Sequence, residues 1–218
     1  MPYVYGGLEI SWLGHDSFYV KYSDKRLYFD PYKIKPKDKA SHVFVSHDHF
    51  DHLSLEDLRK IVAPNTNIIA PESCRKILSS LKIGIMNYVK VDDELKISEV
   101  GVKVVPAYNL TKFREPGVVY HPKAAGGVGY IVDVGGVKIY HMGDTDFVPE
   151  MKNLTADIVF VPISGTFVMT AEEAAQAVNE IKPKVAIPMH YGAIVGSSRD
   201  VEEFKKRAKV EVVVLEKE

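Results

Sequence analysis

The segment 46–52 carries the residues of this sequence that are best suited to chemistry, in the order Ser-His-Asp-His-Phe-Asp-His. It follows an apolar run that is typical of a buried strand. His47 and His49 are two residues apart, so in an extended chain both imidazoles project to one side and can bind one cation. Asp51 and His52 follow in a loop before a helix and can face the same cleft from another angle. This spacing predicts a site for two adjacent metal ions.

Two further ligand candidates stand where other apolar strands end. Asp144 follows the run 137–141 and His190 follows the run 185–188, each in a glycine-containing turn. At strand ends a packed sheet presents side chains to a shared cleft. A carboxylate beside several imidazoles suits zinc, manganese or iron, and it can bridge two ions. Either residue alone favours a structural role, but together with the first cluster both favour ligation.

Alternating strands and helices must position these side chains. A capping signal at Ser54 predicts a helix over 54–62, and further helices are predicted over 71–81, 170–181 and 199–208. Strands are predicted over 8–13, 18–22, 27–29, 42–45, 67–70, 85–91, 94–98, 102–105, 128–134, 137–141, 157–162, 185–188 and 211–215. The segment 106–127 has no clear periodicity, and structureless loops of such length are usually functional.

Composition limits the class of protein. With 218 residues, 46% of them hydrophobic, and no linker-like segment, the chain is expected to form one domain over 1–218. Its net charge of −1, with both signs scattered, gives no indication of a nucleic-acid or membrane partner. No signal peptide or membrane-spanning run is visible, and a lone Cys74 fits a cytoplasmic location, where it is expected only to pack. The oligomeric state is not indicated.

The motifs together resemble the metallo-β-lactamase superfamily of metal-dependent hydrolases. HDHFDH at 47–52 is followed, in the same order, by GDT at 143–145 and MH at 189–190. Segments 12–18 and 140–146 are further similar to the branch that contains ascorbate-6-phosphate lactonase-like proteins. The resemblance implies an α/β (α+β) fold, a four-layer αββα sandwich with the metal site at one edge. It also implies a first metal on His47 and His49, a second on Asp51, His52 and His190, and Asp144 as the bridge.

One position departs from the family pattern. The first metal normally takes a third histidine after the strand corresponding to 102–105, but this sequence has Pro-Ala-Tyr-Asn there. The next histidine is His121, which could complete the first metal site or act on the substrate. Asn109 could contact the substrate or supply a weak oxygen ligand, although capping of the strand end is the simpler role.

The ligand set predicts a hydrolase that uses water activated by two divalent ions. Zinc is the first candidate, with manganese or iron as alternatives. Asp51 is expected to bind the second ion and orient the water. His15 and His141 are candidates for proton transfer or oxyanion contact, with a structural hydrogen bond as an equal alternative for each.

The substrate is expected to be a small ester, phosphodiester or phosphorylated lactone. Segment 110–127 is predicted to gate the site, and its Lys123 could meet an anionic group, as could the neighbouring Lys112 and Arg114, although a solvated loop also explains these cations. Thr166 lies in a Ser-Gly-Thr segment that could offer backbone N–H groups. The alternative function is a non-catalytic metal-binding or scaffold protein of the same fold. Asp51 argues against it, because five or six ligands shared by two ions leave room for water.

Overall fold

The computed structural model describes residues 1–218 and contains two mixed sheets of seven strands each. The first sheet has the strand order β1 (Tyr3–Tyr5), β2 (Leu8–Gly14), β3 (Ser17–Tyr22), β4 (Lys25–Phe29), β5 (His42–Phe44), β6 (Asn67–Pro71) and β7 (Ile85–Val89). Neighbours are antiparallel from β1 to β4 and parallel from β4 to β7. The sheet therefore combines an antiparallel meander, β1 to β4, with a parallel half that delivers the segment 46–52.

The second sheet is built from the later part of the chain. Its strands are β8 (Glu94–Ile97), β9 (Val100–Pro106), β12 (Val128–Val134), β13 (Val137–His141), β14 (Ile158–Pro162), β15 (Val185–Met189) and β16 (Glu211–Val212). They lie in the order β16-β15-β14-β13-β12-β9-β8, and β13 to β16 run parallel to one another. A separate two-stranded ribbon, β10 (Phe113–Glu115) and β11 (Val118–Val119), lies within the long loop.

Helices cover the outer faces of both sheets. α1 (Leu55–Ile61) and α2 (Arg75–Leu78) pack on the first sheet, in a buried cluster of 16 residues. α3 (Ala171–Ile181) and α4 (Ser198–Arg207) join the larger cluster of 45 buried residues, to which the second sheet contributes. Buried residues of α3 recur at helical spacing, at Ala171, Ala174, Ala175, Val178 and Ile181. The predicted αββα sandwich is thereby confirmed.

Strand alternation divides the first sheet between the two clusters. Phe18 and Phe29 belong to the larger cluster, whereas Tyr19 and Tyr28 belong to the smaller one with the helices. Phe18 of β3 stacks on Phe160 of β14 with ring centroids 3.8 Å apart, so the two sheets pack face to face. Burying one such phenyl ring contributes roughly 1.5–3 kcal/mol, which makes this layer a rigid support for the loops at its edge.

A hydrogen bond also joins the two sheets next to the segment 46–52. The hydroxyl of Tyr130 on β12 donates to the carbonyl oxygen of Val45 at 2.7 Å. A buried hydroxyl requires a partner, so this bond fixes the start of the segment relative to the opposite sheet.

Several elements differ from the sequence expectations, among them the ribbon β10–β11 in the segment expected to be structureless. The edge strand β1 was not predicted, because its three residues are too short for a pattern. The helix expected over 71–81 is a 3₁₀ turn (Glu72–Cys74) followed only by α2. Ser79 and Ser80 donate their hydroxyls to backbone carbonyls three residues earlier, which competes with helix continuation. The strand expected over 211–215 ends at Val212.

The sequence also raised expectations for membrane-spanning segments and for the single cysteine. No helix has the length and apolar character needed to cross a membrane. Cys74 is fully buried in the cluster beneath α1 and α2. Burial raises the pKa of its thiol to about 12, so it stays protonated and packs as a small apolar residue.

Candidate metal centre

The predicted ligands meet at one edge of the two sheets. The segment 46–52 follows β5, Asp144 follows β13 and His190 follows β15. The turn between β2 and β3 and the long loop after β9 reach the same edge. Both halves of the chain therefore contribute to one cluster of side chains.

The first group consists of His47, His49 and His121, with one ring nitrogen from each lying within 4.8 Å of the others. His121 Nε2 is 3.2 Å from His49 Nδ1. The His121 ring is held by Asn109, whose Oδ1 accepts hydrogen bonds from the backbone N–H and from Nδ1 of His121, both at 2.9 Å. This leaves Nε2 facing the cluster. A loop histidine thus occupies the place left open at the strand end.

The second group surrounds Asp144. Asp144 Oδ1 is 3.4 Å from His52 Nε2, and Asp144 Oδ2 is 3.3 Å from His190 Nε2. The same Oδ2 is 3.3 Å from Nε2 of His121, a member of the first group. Asp51 Oδ2 lies 3.9 Å from His52 Nε2. Asp144 therefore stands between the two groups, which is the position that a bridging carboxylate requires.

Outer hydrogen bonds aim the rings of this second group. His52 Nδ1 lies 2.8 Å from Asp30 Oδ2, and Ser164 Oγ lies 2.9 Å from His190 Nδ1. Asp30 also accepts the backbone N–H of Ser46 at 2.7 Å. Such partners fix which nitrogen of a histidine faces a metal, here Nε2 in both rings. Sequence reasoning missed Asp30, although it stands at the end of an apolar strand just as Asp144 does. Sequence reasoning considered the segment of Ser164 only for backbone N–H groups and not for this hydroxyl.

Unpaired buried atoms test whether the residues fit a metal. His47 Nε2, His52 Nε2, His190 Nε2 and Asp144 Oδ1 are all buried and have no hydrogen-bond partner. Leaving one such atom unpaired costs about 1–3 kcal/mol. These atoms face one another, and imidazole with carboxylate is a donor set that divalent ions accept. The residues present therefore fit bound cations.

The buried carboxylates of the site favour positive charge on the neighbouring imidazoles, as the pKa values of these groups indicate. Burial alone would lower the pKa of His52, but Asp144 and Asp30 raise that pKa well above its usual value. Burial likewise opposes charge on His190, yet Asp144 and Asp16 raise its pKa to about 9. Burial would raise the pKa of Asp144, but His190 and His52 hold it well below the usual range. Metal binding here must displace protons from these two imidazoles.

The two histidines proposed for catalysis occupy different positions. His15 Nε2 lies 3.0 Å from Asp51 Oδ2, so His15 contacts a predicted ligand directly. His141 is buried behind the cluster, where its Nε2 donates to the backbone oxygen of Asp16 at 2.9 Å. The backbone N–H of Gly143 donates to the other ring nitrogen of His141. With both nitrogens occupied, His141 has no atom available for the substrate.

The three candidates for substrate contact, Asn109, Lys123 and Thr166, do not line the cleft that opens onto the cluster. Asn109 lies behind His121, with its Nδ2 donating to the backbone oxygen of Phe167 at 2.9 Å. Lys123 forms a surface ion pair with Glu150, with 2.7 Å between nitrogen and oxygen. Thr166 is exposed. The structure instead supports a positioning role for Asn109.

A cleft of about 260 Å³ opens onto the cluster. Its floor includes His49, Asp51, His121 and Asp144, and its walls are formed by Phe50, Tyr120, Phe167 and Ile194. A larger hollow of about 400 Å³ around Glu94 and Lys138 lies elsewhere and contains none of the predicted ligands. The smaller cleft is therefore the candidate substrate site, and the long loop contributes Tyr120 and His121 to it.

His121→Ala should remove about one metal ion per chain, because it deletes the third nitrogen of the first group while leaving the second group intact. Metal analysis of the reconstituted protein would measure this loss. Asn109→Ala provides the matched comparison: it releases the ring without deleting it, so metal affinity should fall roughly 10–100-fold without a full loss of the ion. Intact metal content with a reduced rate in His121→Ala would instead make His121 a group that acts on substrate.

Comparisons with known proteins extend these observations. The model of the family described as the beta-lactamase superfamily domain matches residues 9–190. An Archaeoglobus fulgidus protein named a UPF0173 metal-dependent hydrolase is 33% identical over 95% of this chain and 96% of its own length. A relative of the same name from Carboxydothermus hydrogenoformans is 31% identical over 93% of this chain and 92% of its own.

Solved structures agree with this similarity. The crystal structure of a Parabacteroides distasonis protein, 31% identical in sequence, covers 96% of this chain and 94% of its own with a TM-score of 0.83. Igni18, a metallo hydrolase from Ignicoccus hospitalis, is 21% identical, covers 96% of this chain and 95% of its own, and has a TM-score of 0.76. The second likeness concerns the fold alone.

Proposed function

Because this chain belongs to the metallo-β-lactamase superfamily and to its UPF0173 family of metal-dependent hydrolases, we propose that it hydrolyses a small ester, lactone or phosphodiester at a site for two divalent ions. The observation that carries the proposal is the position of Asp144 between two groups of buried ligand atoms. Zinc is the first candidate for the ions, with manganese and iron as alternatives.

When bound, the ions would supply an activated water as nucleophile and polarise the substrate oxygen. The chain supplies the arrangement around them. His47, His49 and His121 would hold the first ion, and Asp144 would contact both. Asp51, the least buried of the proposed ligand carboxylates with 14% of its side chain exposed, lies where a ligand can meet water and substrate. His15 would orient Asp51 through their hydrogen bond.

The walls of the cleft support a substrate with an uncharged apolar part. Phe50 and Ile194 line the cleft with 67% and 42% of their surface exposed to solvent. Exposed apolar side chains that lie together often mark a binding site for an apolar group. The three cations expected to bind anions are paired elsewhere: Lys112 with Glu173 at 2.7 Å, Lys123 with Glu150, and Arg114 with its neighbour Glu115 at 3.7 Å. Apolar esters and lactones are therefore the first substrates to test. The resemblance to ascorbate-6-phosphate lactonase-like proteins keeps phosphorylated lactones in the panel.

The proposal is tested by assaying chromogenic esters, lactones and phosphodiesters with protein reconstituted in zinc or in manganese. Each assay is repeated after chelation and again after the metal is restored. Hydrolysis that follows the metal supports the proposal. A fully loaded protein that hydrolyses no member of the panel would favour the non-catalytic, metal-binding alternative.

Phe50→Ala should lower kcat/KM for an ester with an aromatic group about tenfold, which corresponds to about 1.4 kcal/mol of lost apolar contact. This is slightly less than the roughly 1.5–3 kcal/mol for complete burial of a phenyl ring, as expected for a side chain at the rim of a cleft. A small acetate ester without an aromatic group would not reach the Phe50 wall of the cleft. The Phe50→Ala variant should therefore hydrolyse this ester at the wild-type rate. Ile85→Ala, another exposed apolar residue but on β7, is the control and should change neither rate. Equal losses on both esters in the Phe50 variant would contradict a role in recognition.

A further inference from the structure

We propose that the Asp16 carboxylate is an additional ligand of the second metal ion, the ion assigned to His52 and His190. Asp16 lies in the turn between β2 and β3, outside the motifs that suggested the other ligands. The inference rests on the proposed function, since it presupposes that ions bind at this site.

The first argument is burial without a partner. Asp16 is 0% exposed, and neither of its carboxylate oxygens has a hydrogen-bond partner. A buried carboxylate is costly unless a cation or hydrogen-bond donors compensate it. No lysine or arginine forms an ion pair with Asp16; its only such neighbour is His52. The turn therefore retains a carboxylate whose charge can be compensated only from within the metal cluster.

The second argument is the side from which Asp16 approaches the histidines. Asp16 Oδ2 is 3.5 Å from His52 Nε2, whereas Nδ1 of the same ring is taken by Asp30. His190 shows the same division, since its Nδ1 meets Ser164. A carboxylate that merely orients a metal-binding histidine contacts the nitrogen that does not bind the metal. Asp16 instead faces the nitrogen that would bind, where a ligand belongs.

The ligand atoms are also close enough to share one ion. One atom from each of His15, Asp16, His52 and His190 lies within 4.8 Å of all the others. His15 Nε2 contacts Asp51, whereas the other ring nitrogen of His15, both carboxylate oxygens of Asp16 and Nε2 of His52 and of His190 are buried without a hydrogen-bond partner. Asp16 therefore belongs to a set of unpaired ligand atoms around the position assigned to the second ion.

The turn itself is held in place by hydrogen bonds. His141 Nε2 donates to the backbone oxygen of Asp16, and the indole N–H of Trp12 donates to the backbone oxygen of His15 at 2.7 Å. His15 has a φ of 52°, a left-handed conformation that is unfavourable for a residue with a side chain and persists only where the surroundings enforce it. These contacts fix Asp16 and give the buried His141 a positioning role.

An extra carboxylate would make the two metal positions chemically different. Besides the shared Asp144, the first position would have three imidazoles, whereas the second would have the imidazoles of His52 and His190 with the carboxylates of Asp16 and Asp51. Carboxylate ligands suit manganese, whereas imidazole ligands suit zinc and iron. Asp16 should therefore shift the preference of the second position toward manganese relative to the first.

The test compares metal binding by wild type, Asp16→Asn and Asp48→Asn, using titration with manganese and with zinc and metal analysis of the dialysed protein. Asp48 is an exposed carboxylate in the segment 46–52 and serves as the matched control. Asp16→Asn should weaken the second ion at least tenfold, more for manganese than for zinc, and leave the first ion unchanged. Asp48→Asn should match wild type, and circular dichroism of both variants should show the native fold.

A crystal structure of the metal-loaded wild type gives a second measurement that does not depend on a variant folding. An Asp16 oxygen at about 2.0–2.2 Å from the second ion is the expected result. Two bound ions without contact to Asp16 would overturn this inference and leave the proposed function intact. An Asp16→Asn variant with wild-type affinity for both ions would do the same. A wild type that binds no ion would overturn the proposed function as well, so the two failures are distinguishable.

Discussion

Asp51→Ala should lower kcat by roughly 10²–10⁴-fold, the range for losing a side chain that positions or activates the nucleophile. Asp51 contributes a carboxylate beside His52 and accepts a contact from His15, and both interactions disappear in the variant. The protein should still fold, because the side chain lies at the cleft and belongs to neither apolar cluster.

The rate of this variant is measured at saturating metal, together with its metal content. Asp48→Ala, which removes an exposed carboxylate three residues away, should keep the wild-type rate. A normal melting temperature with a lower rate would separate the catalytic effect from misfolding. Wild-type turnover in Asp51→Ala would show that the proposed mechanism is wrong.

Removal of the metals should abolish hydrolysis and destabilise the fold at the same time. Several buried atoms of the site, among them His47 Nε2 and His52 Nε2, are unpaired without a cation. A ligand present at one hundred times its Kd stabilises the folded state by about 2.7 kcal/mol, so chelation should lower the melting temperature by several degrees.

Two equivalents of zinc or manganese per chain should restore both properties, as measured by calorimetry and by the ester assay. Magnesium serves as the control, because it prefers oxygen ligands and should restore neither. A protein that contains no transition metal even after reconstitution would contradict the proposed metal centre altogether.

The core of the site was predictable because it depends on local signals. His47 and His49 follow an apolar strand at a spacing of two, while Asp144 and His190 each follow a strand of the other sheet. Such positions can be recognised without knowing which strands become neighbours. The role of His121 was left open because this residue lies in a loop without periodicity. In the structure its Nδ1 contacts Asn109, and its Nε2 faces His49 in the cluster.

The residues that sequence reasoning missed or placed differently depend on contacts between distant parts of the chain. Asp30 and Asp16 both approach His52 through packing that no periodicity in the sequence indicates. His141 has the residue type of a proton-transfer group, but its two nitrogens are used by backbone atoms. Lys123 lies in the predicted gate, yet its charge is satisfied by Glu150 at the surface.

The origin of the ligands in both sheets has a consequence for assembly. A bound ion would join His52, which follows the first sheet, to His190, which follows the second, and so close a loop containing more than half of the chain. A covalent link across such a loop reduces the entropy of the unfolded chain by an amount worth roughly 4–5 kcal/mol, and a tightly held ion acts in the same sense. Until both sheets have docked, the ion has no complete coordination sphere, and the facing rings of Phe18 and Phe160 remain exposed. The concentration of available metal would then affect how long the newly synthesised chain exposes apolar surface and can aggregate. This effect would be independent of the catalytic role of the metal.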